Sequence, residues 1–132
     1  MIRVIIPLDE EYQNWRDECK KLYQSVQDKI NDVNSYDFVE HNTLLYVFVD
    51  ESGLIGVTYF FLDDEKLFMN GFSKRKKYPL NVECIKISSS FFKSSVYAEV
   101  QNRASAFCLL KAGFKRIEPN LMVFENPSFI VH

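Results

Sequence analysis

The chain has 132 residues, of which 47% are hydrophobic and 15% aromatic, and its formal net charge is −2. This composition excludes an intrinsically disordered chain, and the length suits one globular domain. The slightly acidic balance argues against a wholly basic surface for duplex nucleic acid, although a local basic patch remains compatible with it.

The sequence lacks the patterns that mark secreted or membrane proteins. Its longest apolar run, residues 44–49, is far shorter than the ~18 residues that a bilayer-spanning helix needs, and residues 1–7 do not resemble a signal peptide. Cys19, Cys84 and Cys108 have no CxxC spacing. We therefore expect a cytoplasmic protein with reduced, buried thiols and no metal site.

Residues 2–8 predict a short strand, and residues 9–30 predict the clearest helix of the chain. Asp9 is placed to cap the first amides of that helix, and the two glutamates after it suit the positive end of the helix dipole. The apolar residues step by three or four positions, which places them on one helical face. They are Tyr12, Trp15, Cys19, Leu22, Val26 and Ile30.

Residues 31–42 are mostly polar and predict a loop, in which Tyr36 and Phe38 stand isolated. The apolar segments that follow are separated by turn signals, so they predict an antiparallel meander of three strands. These strands are residues 44–50, 54–62 and 66–72.

The second half of the chain alternates helices and strands. Pro79 suits the first turn of a helix, so residues 80–92 predict a helix, although residues 85–87 also suit a strand. A strand at 95–100 precedes a helix that Asn102 caps and Gly113 ends. A hairpin of residues 115–118 and 121–125 completes the order β-α-β-β-β-α-β-α-β-β, and we expect residues 1–132 to form a single domain.

Residues 96–115 resemble the acyl-CoA-binding half of the GNAT N-acetyltransferase superfamily. There a strand leads through an Asn-x-x-small helix start into a helix that ends in Gly-Phe, and Asn102 and Gly113-Phe114 keep that spacing. The resemblance implies an α/β fold, a single GNAT-like domain with a mixed, splayed sheet flanked by helices. It also supports the helix at 80–92, because parallel strands need a crossover.

The resemblance implies acetyl-CoA as cosubstrate. In GNAT folds the pantetheine arm enters the gap between two splayed parallel strands and pairs with the free backbone of the first, here Asn70, Gly71 and Phe72. Gly71 suits a β-bulge at that position. Asn102 would support the pantetheine site from the start of the next helix.

Two features depart from the family pattern. The family's glycine-containing phosphate loop is replaced by a segment without glycine that carries four cations, Lys74, Arg75, Lys76 and Lys77. These side chains could bind the CoA phosphates. They could equally form a solvated charge run, or bind nucleic acid or a partner protein.

The second departure concerns acid–base chemistry. Leu109 stands where many members carry a tyrosine that protonates the CoA thiolate, and leucine donates no proton. Glu99 is the candidate base for the attacking amine, with a surface strand residue as the alternative interpretation. Tyr59, Asn70 and Tyr97 are weaker candidates, for which a place in the core or at the rim of the site is the alternative interpretation, and His41 in the predicted loop is not expected to have a catalytic role.

We expect an N-acetyltransferase that moves an acetyl group from acetyl-CoA to an amine of a small molecule or protein. The alternative is a catalytically inactive GNAT fold that acts as an interaction or structural protein, with exposed Tyr36, Phe38 and residues 127–131 as its contact surface. A third hypothesis is weak binding of single-stranded nucleic acid through the basic run and Tyr78.

Overall fold

The computed structural model of the chain describes residues 1–74 and 78–126, the side chain of Tyr78 excepted, and in them a seven-stranded mixed sheet carries four helices. The strands are β1 (Arg3–Ile5), β2 (Leu44–Asp50), β3 (Gly53–Asp63), β4 (Lys66–Ser73), β5 (Val96–Glu99), β6 (Lys115–Glu118) and β7 (Leu121–Phe124). The helices are α1 (Tyr12–Val26), α2 (Tyr36–Asn42), α3 (Tyr78–Ser89) and α4 (Arg103–Ala112). The sheet order is β1-β2-β3-β4-β5-β7-β6.

The first predicted helix is confirmed as α1, but it is shorter than expected. Tyr12, Cys19 and Tyr23 on its apolar face are buried. The prediction that Asp9 caps the helix is wrong, because its carboxylate accepts the Ile6 N–H at 3.0 Å in the turn before the helix. The residue at the cap position is Glu11, whose carboxylate binds Arg3 instead.

The prediction of a loop over residues 31–42 is wrong in its second half, where α2 forms. Ser35 Oγ accepts the Phe38 N–H at 3.1 Å and so caps this helix. Tyr36 and Val39 are buried under α1, and the rings of Tyr36 and Tyr23 are 5.7 Å apart. A short helix of this kind is stabilised mainly by such tertiary packing.

The antiparallel meander is confirmed as β2, β3 and β4. Asp64 and Glu65 both have positive φ angles and close a tight two-residue hairpin between β3 and β4. The bulge predicted at Gly71 is wrong, because the register of β3 and β4 is unbroken there. Glycine is needed for another reason: a Cβ atom at Gly71 would lie 2.8 Å from the carbonyl oxygen of Val57 on β3.

The predicted alternation of the second half is also confirmed. Asn102 Oδ1 accepts the Ser105 N–H at 2.9 Å and caps α4, and Gly113 ends that helix with a φ of +106°. The sheet is covered on both faces: α1 and α2 share one apolar cluster with it, and α3 and α4 share another. All three cysteines are buried and free, and no described helix is long and apolar enough to cross a bilayer.

Candidate functional site

The sheet opens between its two parallel strands. In the described part of the chain, β4 and β5 pair only at Leu67 with Val96 and at Phe68 with Tyr97. Beyond these pairs β5 continues beside β7, and the chain then turns into α4. A gap therefore separates the second half of β4 from the start of α4.

The backbone of β4 offers hydrogen-bonding groups to this gap. Asp63 and Lys66 close the hairpin with β3, and alternate residues along an antiparallel strand direct N–H and C=O away from the partner. Counting from the hairpin, Met69, Gly71 and Ser73 are the residues that direct these groups toward the gap.

The gap contains a cavity of about 270 Å³. Residues of β4 form one wall, and residues of α3 and α4 form another. Its apolar wall includes Ile85, Ala98 and Leu109, and its polar groups include Asn81, Asn102 and Ser105. The volume and the mixed lining suit a small, partly polar ligand group.

The residues predicted to bind the pantetheine arm come together at this cavity. Asn70, Gly71, Phe72 and Asn102 all line it. The ring of Phe72 also packs against Tyr23, at 5.4 Å between centroids, and so anchors β4 to α1. The side-chain oxygen of Asn102 is engaged in capping α4, so its role at the cavity is to fix the start of that helix.

The basic run lies outside the cavity as far as the structure describes it. Lys74 Nζ forms an ion pair with Glu18 of α1 at 2.5 Å, and both side chains are partly exposed. Lys74 is not among the residues that line the cavity. Arg75, Lys76 and Lys77 lie outside the described residues.

A second cavity of about 180 Å³ adjoins the first. Ile30, Met69, Asn70, Glu99 and Gln101 line both cavities, so these residues form the partition between them. The rest of the lining of the second cavity comes from residues 31–34 and from Phe61, Asp63 and Phe68, and it includes two carboxylates and two aromatic rings. The two phenylalanine rings are stacked, with centroids 6.1 Å apart.

The two acid–base positions differ in what they can do. Glu99 is exposed and lies on the partition, where it lines both cavities. Leu109 lines the first cavity with 4% of its surface exposed, and its hydrocarbon side chain supplies no proton. Burial raises the pKa of the neighbouring Cys108 thiol, which also lines the cavity and therefore stays protonated near neutral pH.

The weaker candidates other than Asn70 do not line either cavity. The Tyr59 hydroxyl donates to Asp32 at 2.7 Å, and burial, followed by this bond, raises the pKa of the phenol. Tyr97 packs beside Phe68, and His41 Nδ1 contacts the Asp37 carbonyl at 2.7 Å on α2. Tyr59 thus holds the chain segment after α1 in place, next to the second cavity.

Gln101 is the residue at this site that the sequence did not reveal. It lies on the partition, and its Nε2 donates to the Ile30 carbonyl at 2.7 Å and to Asn70 Oδ1 at 2.9 Å. Its partners are 71 and 31 residues away, so no local pattern predicts these bonds. The one local feature that could have drawn attention to Gln101 is its position directly before the cap residue Asn102.

Replacing Gly71 with alanine is expected to lower the free energy of unfolding by about 1–3 kcal/mol. A strand with alanine in its interior is normally more stable than one with glycine there. At position 71, however, the Cβ of alanine would lie 2.8 Å from the backbone oxygen of Val57 and would push β3 and β4 apart. Urea denaturation measures the change, with Ser73→Ala on the same strand as control. A Gly71→Ala protein as stable as the native one would contradict this expectation.

The comparisons with known proteins rest on structure. No protein-family model matches the sequence, and no curated protein matches it significantly. An aminoglycoside acetyltransferase, AAC(6')-Ib, solved in complex with coenzyme A, aligns with a TM-score of 0.67 at 10% identity, over 98% of this chain and 97% of that one. An N-acetyltransferase from Staphylococcus aureus Mu50 aligns with a TM-score of 0.68 at 15% identity, over 95% and 97%.

A GNAT-family acetyltransferase from Streptococcus agalactiae 2603 aligns with a TM-score of 0.58 at 10% identity, over 92% of each chain. At such identities the likeness concerns the fold alone. The strand order, the parallel pair that opens into a gap and the helix capped by Asn102 agree with it. The predicted fold class is therefore confirmed: the chain has the mixed α/β fold of the GNAT acetyltransferases.

Proposed function

We propose that the protein is an N-acyltransferase that moves an acetyl group from acetyl-CoA to an amine. The observation that carries this proposal is the cavity between β4 and α4, which borders backbone groups of β4 that pair with neither of the neighbouring strands. A pantetheine arm carries two amide groups, which pair with such a strand as another strand would. The similar aminoglycoside acetyltransferase was solved with coenzyme A, which supports the choice of cofactor.

We assign the following roles to the predicted cofactor-binding residues. The backbone groups of Gly71 that face the gap pair with the pantetheine arm, and Asn70 and Phe72, whose backbone groups pair with β3, line the cavity beside it. Asn102 holds the start of α4 against the arm. The basic run, Lys74, Arg75, Lys76 and Lys77, contacts the CoA phosphates. Lys74 is able to do so because its exposed pair with Glu18 is weak and a phosphate replaces that carboxylate at little cost.

The second cavity is the proposed acceptor site. Asp32, Asp63 and Glu99 give it a negative character, and the stacked rings of Phe61 and Phe68 offer aromatic faces. Carboxylates and aromatic faces both attract an ammonium group. Glu99, at the partition, then removes the proton from the attacking amine, directly or through water. The C–S bond of the thioester breaks as the new amide bond forms, and because Leu109 supplies no proton the departing CoA thiolate takes its proton from water.

The alternative is an inactive GNAT fold that acts as an interaction module. Leu109 in the cavity wall favours it, because the position lacks the acid that many members carry. The prediction that Tyr36 is exposed on the contact surface of such a module is wrong, because 1% of its surface is exposed. Phe38 is 50% exposed, as that prediction requires. Residues 127–131 lie outside the described residues.

Thermal-shift titration with acetyl-CoA, CoA and dephospho-CoA tests the proposed function. Ligand at a hundredfold excess over Kd stabilises the native state by about 2.7 kcal/mol, which raises the Tm by several degrees. We expect such a shift with acetyl-CoA and a smaller one with dephospho-CoA if the basic run binds the phosphates.

A matched pair of variants on α4 locates the ligand. Ala104→Leu places a larger side chain in the cavity lining, and Lys111→Leu places the same side chain on the exposed far end of the helix. We expect Ala104→Leu to reduce the shift and Lys111→Leu to keep it. No shift with any of the three compounds would overturn the proposed function and favour the interaction module.

A further inference from the structure

A primary amine of the chain itself lies at the first cavity. Lys29 lines this cavity, directly before Ile30 on the partition. Its backbone N–H donates to the Val26 carbonyl at 2.8 Å, in the turn that follows α1. Lys29 is exposed, and its ammonium group forms no hydrogen bond or ion pair with any other described residue. The cavity wall therefore carries an amine that no carboxylate of the described chain engages.

The backbone that carries Lys29 is fixed to the partition. The Ile30 carbonyl accepts hydrogen bonds from Asn70 Nδ2 at 3.1 Å and from Gln101 Nε2 at 2.7 Å. These bonds tie the segment after α1 to β4 and to the start of α4. The side chain of Lys29 starts one residue before this carbonyl and has a flexible four-carbon stem, so its nitrogen stays within reach of the partition.

The same cavity contains the proposed base. Among the described residues that line the first cavity, two are charged, Lys29 and Glu99. Glu99 lies on the partition, and its carboxylate, like the Lys29 ammonium, forms no hydrogen bond or ion pair with another described residue. Acetyl transfer requires an amine, a base and a thioester that are held close together. The first cavity supplies the amine and the base, and the proposed function adds the thioester.

We propose that Lys29 is an acceptor in cis, so that the protein acetylates its own chain with acetyl-CoA bound in the first cavity. The inference rests on the proposed function. Glu99 accepts one proton from the Lys29 ammonium, and the nitrogen lone pair attacks the thioester carbonyl carbon. The C–N bond forms as the C–S bond breaks, the nitrogen releases its second proton to water, and the CoA thiolate takes a proton from water. The products are an acetylated lysine, free CoA and one proton, which passes from Glu99 to the solvent.

Acetylation at this position changes the charge of the cavity wall. An acetylated lysine is neutral, so Glu99 becomes the one charged side chain in the described lining of the first cavity. Each chain reacts once at Lys29. The modification is therefore stoichiometric, and it is separate from turnover with an amine in the second cavity.

Mass spectrometry of the protein incubated with acetyl-CoA tests the inference, with Lys21 as the control in the same sample. Lys21 is exposed on α1 and lines neither cavity, and its ammonium group forms no hydrogen bond or ion pair with another described residue. Because the cavity holds the reactants together, we expect Lys29 to be acetylated at least about tenfold faster than Lys21. The Lys29 rate is expected to level off as acetyl-CoA saturates the cavity, whereas the Lys21 rate rises in proportion to acetyl-CoA.

Two variants separate the acceptor from the base. Lys29→Arg keeps the positive charge and removes the acceptor amine, so we expect the acetyl uptake of the whole protein to fall to that of its slow exposed lysines. Glu99→Gln removes the base, so we expect the ratio of the Lys29 rate to the Lys21 rate to fall about tenfold or more. An unchanged ratio in Glu99→Gln would overturn the role of Glu99 in this transfer.

The order of the reaction and the thermal shift decide the remaining outcomes. At saturating acetyl-CoA the Lys29 rate constant is expected to be independent of protein concentration, and a rate constant that rises with it would overturn transfer in cis. Equal rates at Lys29 and Lys21, in a protein whose Tm acetyl-CoA raises, would overturn the inference and leave the proposed function intact. Equal rates without a thermal shift would overturn both.

Discussion

Phe60→Ala is expected to lower the free energy of unfolding by about 3–5 kcal/mol. Phe60 lies on β3 with 1% of its surface exposed, and it is central to the cluster that α3 and α4 form with the sheet. Its ring lies 4.5 Å from that of Phe92 and 5.8 Å from that of Tyr46, measured between centroids. Truncation removes these contacts and leaves a cavity that the rigid sheet cannot close.

Chemical denaturation followed by circular dichroism measures this loss, and Phe38→Ala is the matched control. Phe38 is 50% exposed on α2, so its truncation is expected to change the stability by no more than about 0.5 kcal/mol. Similar losses in the two variants would mean that Phe60 does not have the central place in the core that its burial indicates.

Glu40→Ala is expected to lower the free energy of unfolding by about 3 kcal/mol. The Glu40 side chain is 7% exposed, and its carboxylate accepts hydrogen bonds from Arg16 Nε at 2.8 Å and from the hydroxyl of Tyr12. Tyr12 in turn contacts the hydroxyl of Tyr36 at 2.8 Å. Removing the carboxylate therefore leaves a half-buried guanidinium and a buried phenol without their main acceptor.

Asp37→Ala supplies the control for this effect on the same helix. Asp37 also binds Arg16, at 2.8 Å, but its side chain is 58% exposed. Exposed ion pairs contribute about 0–1 kcal/mol, so the loss should be at most about one third of that in Glu40→Ala. Equal losses would show that the ion pair with Arg16, rather than the buried bond to Tyr12, dominates the network.

The sequence predicts those parts of the fold whose determinants are local. The apolar face of α1 repeats at helical spacing, and Asn102 and Gly113 mark both ends of α4. Helix α2 escaped prediction because only Ser35 marks it locally, and the burial of Tyr36 under Tyr23 stabilises it. Segments of this kind depend on contacts that no window of sequence contains.

The candidate site likewise has parts that the sequence predicted and parts that it did not. The resemblance of residues 96–115 predicted the strand order, and that order places Asn70 and Asn102 on the same cavity. The bonds of Asn70 to Ile30 and Gln101 join residues 40 and 31 positions apart. At Gly71 the sequence predicted a bulge, whereas the structure shows that the close approach of β3 is what requires glycine there.

The pairing between β4 and β5 is short, and it divides the sheet into two parts. One part contains β1 to β4 and the other contains β5 to β7, and two residue pairs join the two parts. Bending is easiest along the line with the fewest hydrogen bonds. Helix α3 packs against β3 of the first part and against α4, which follows β5 of the second part, so it connects the two parts. Side chains between α3 and α4 therefore help to set the width of the gap, and two of them, Asn81 and Cys108 with Nδ2 and Sγ 3.9 Å apart, also line it.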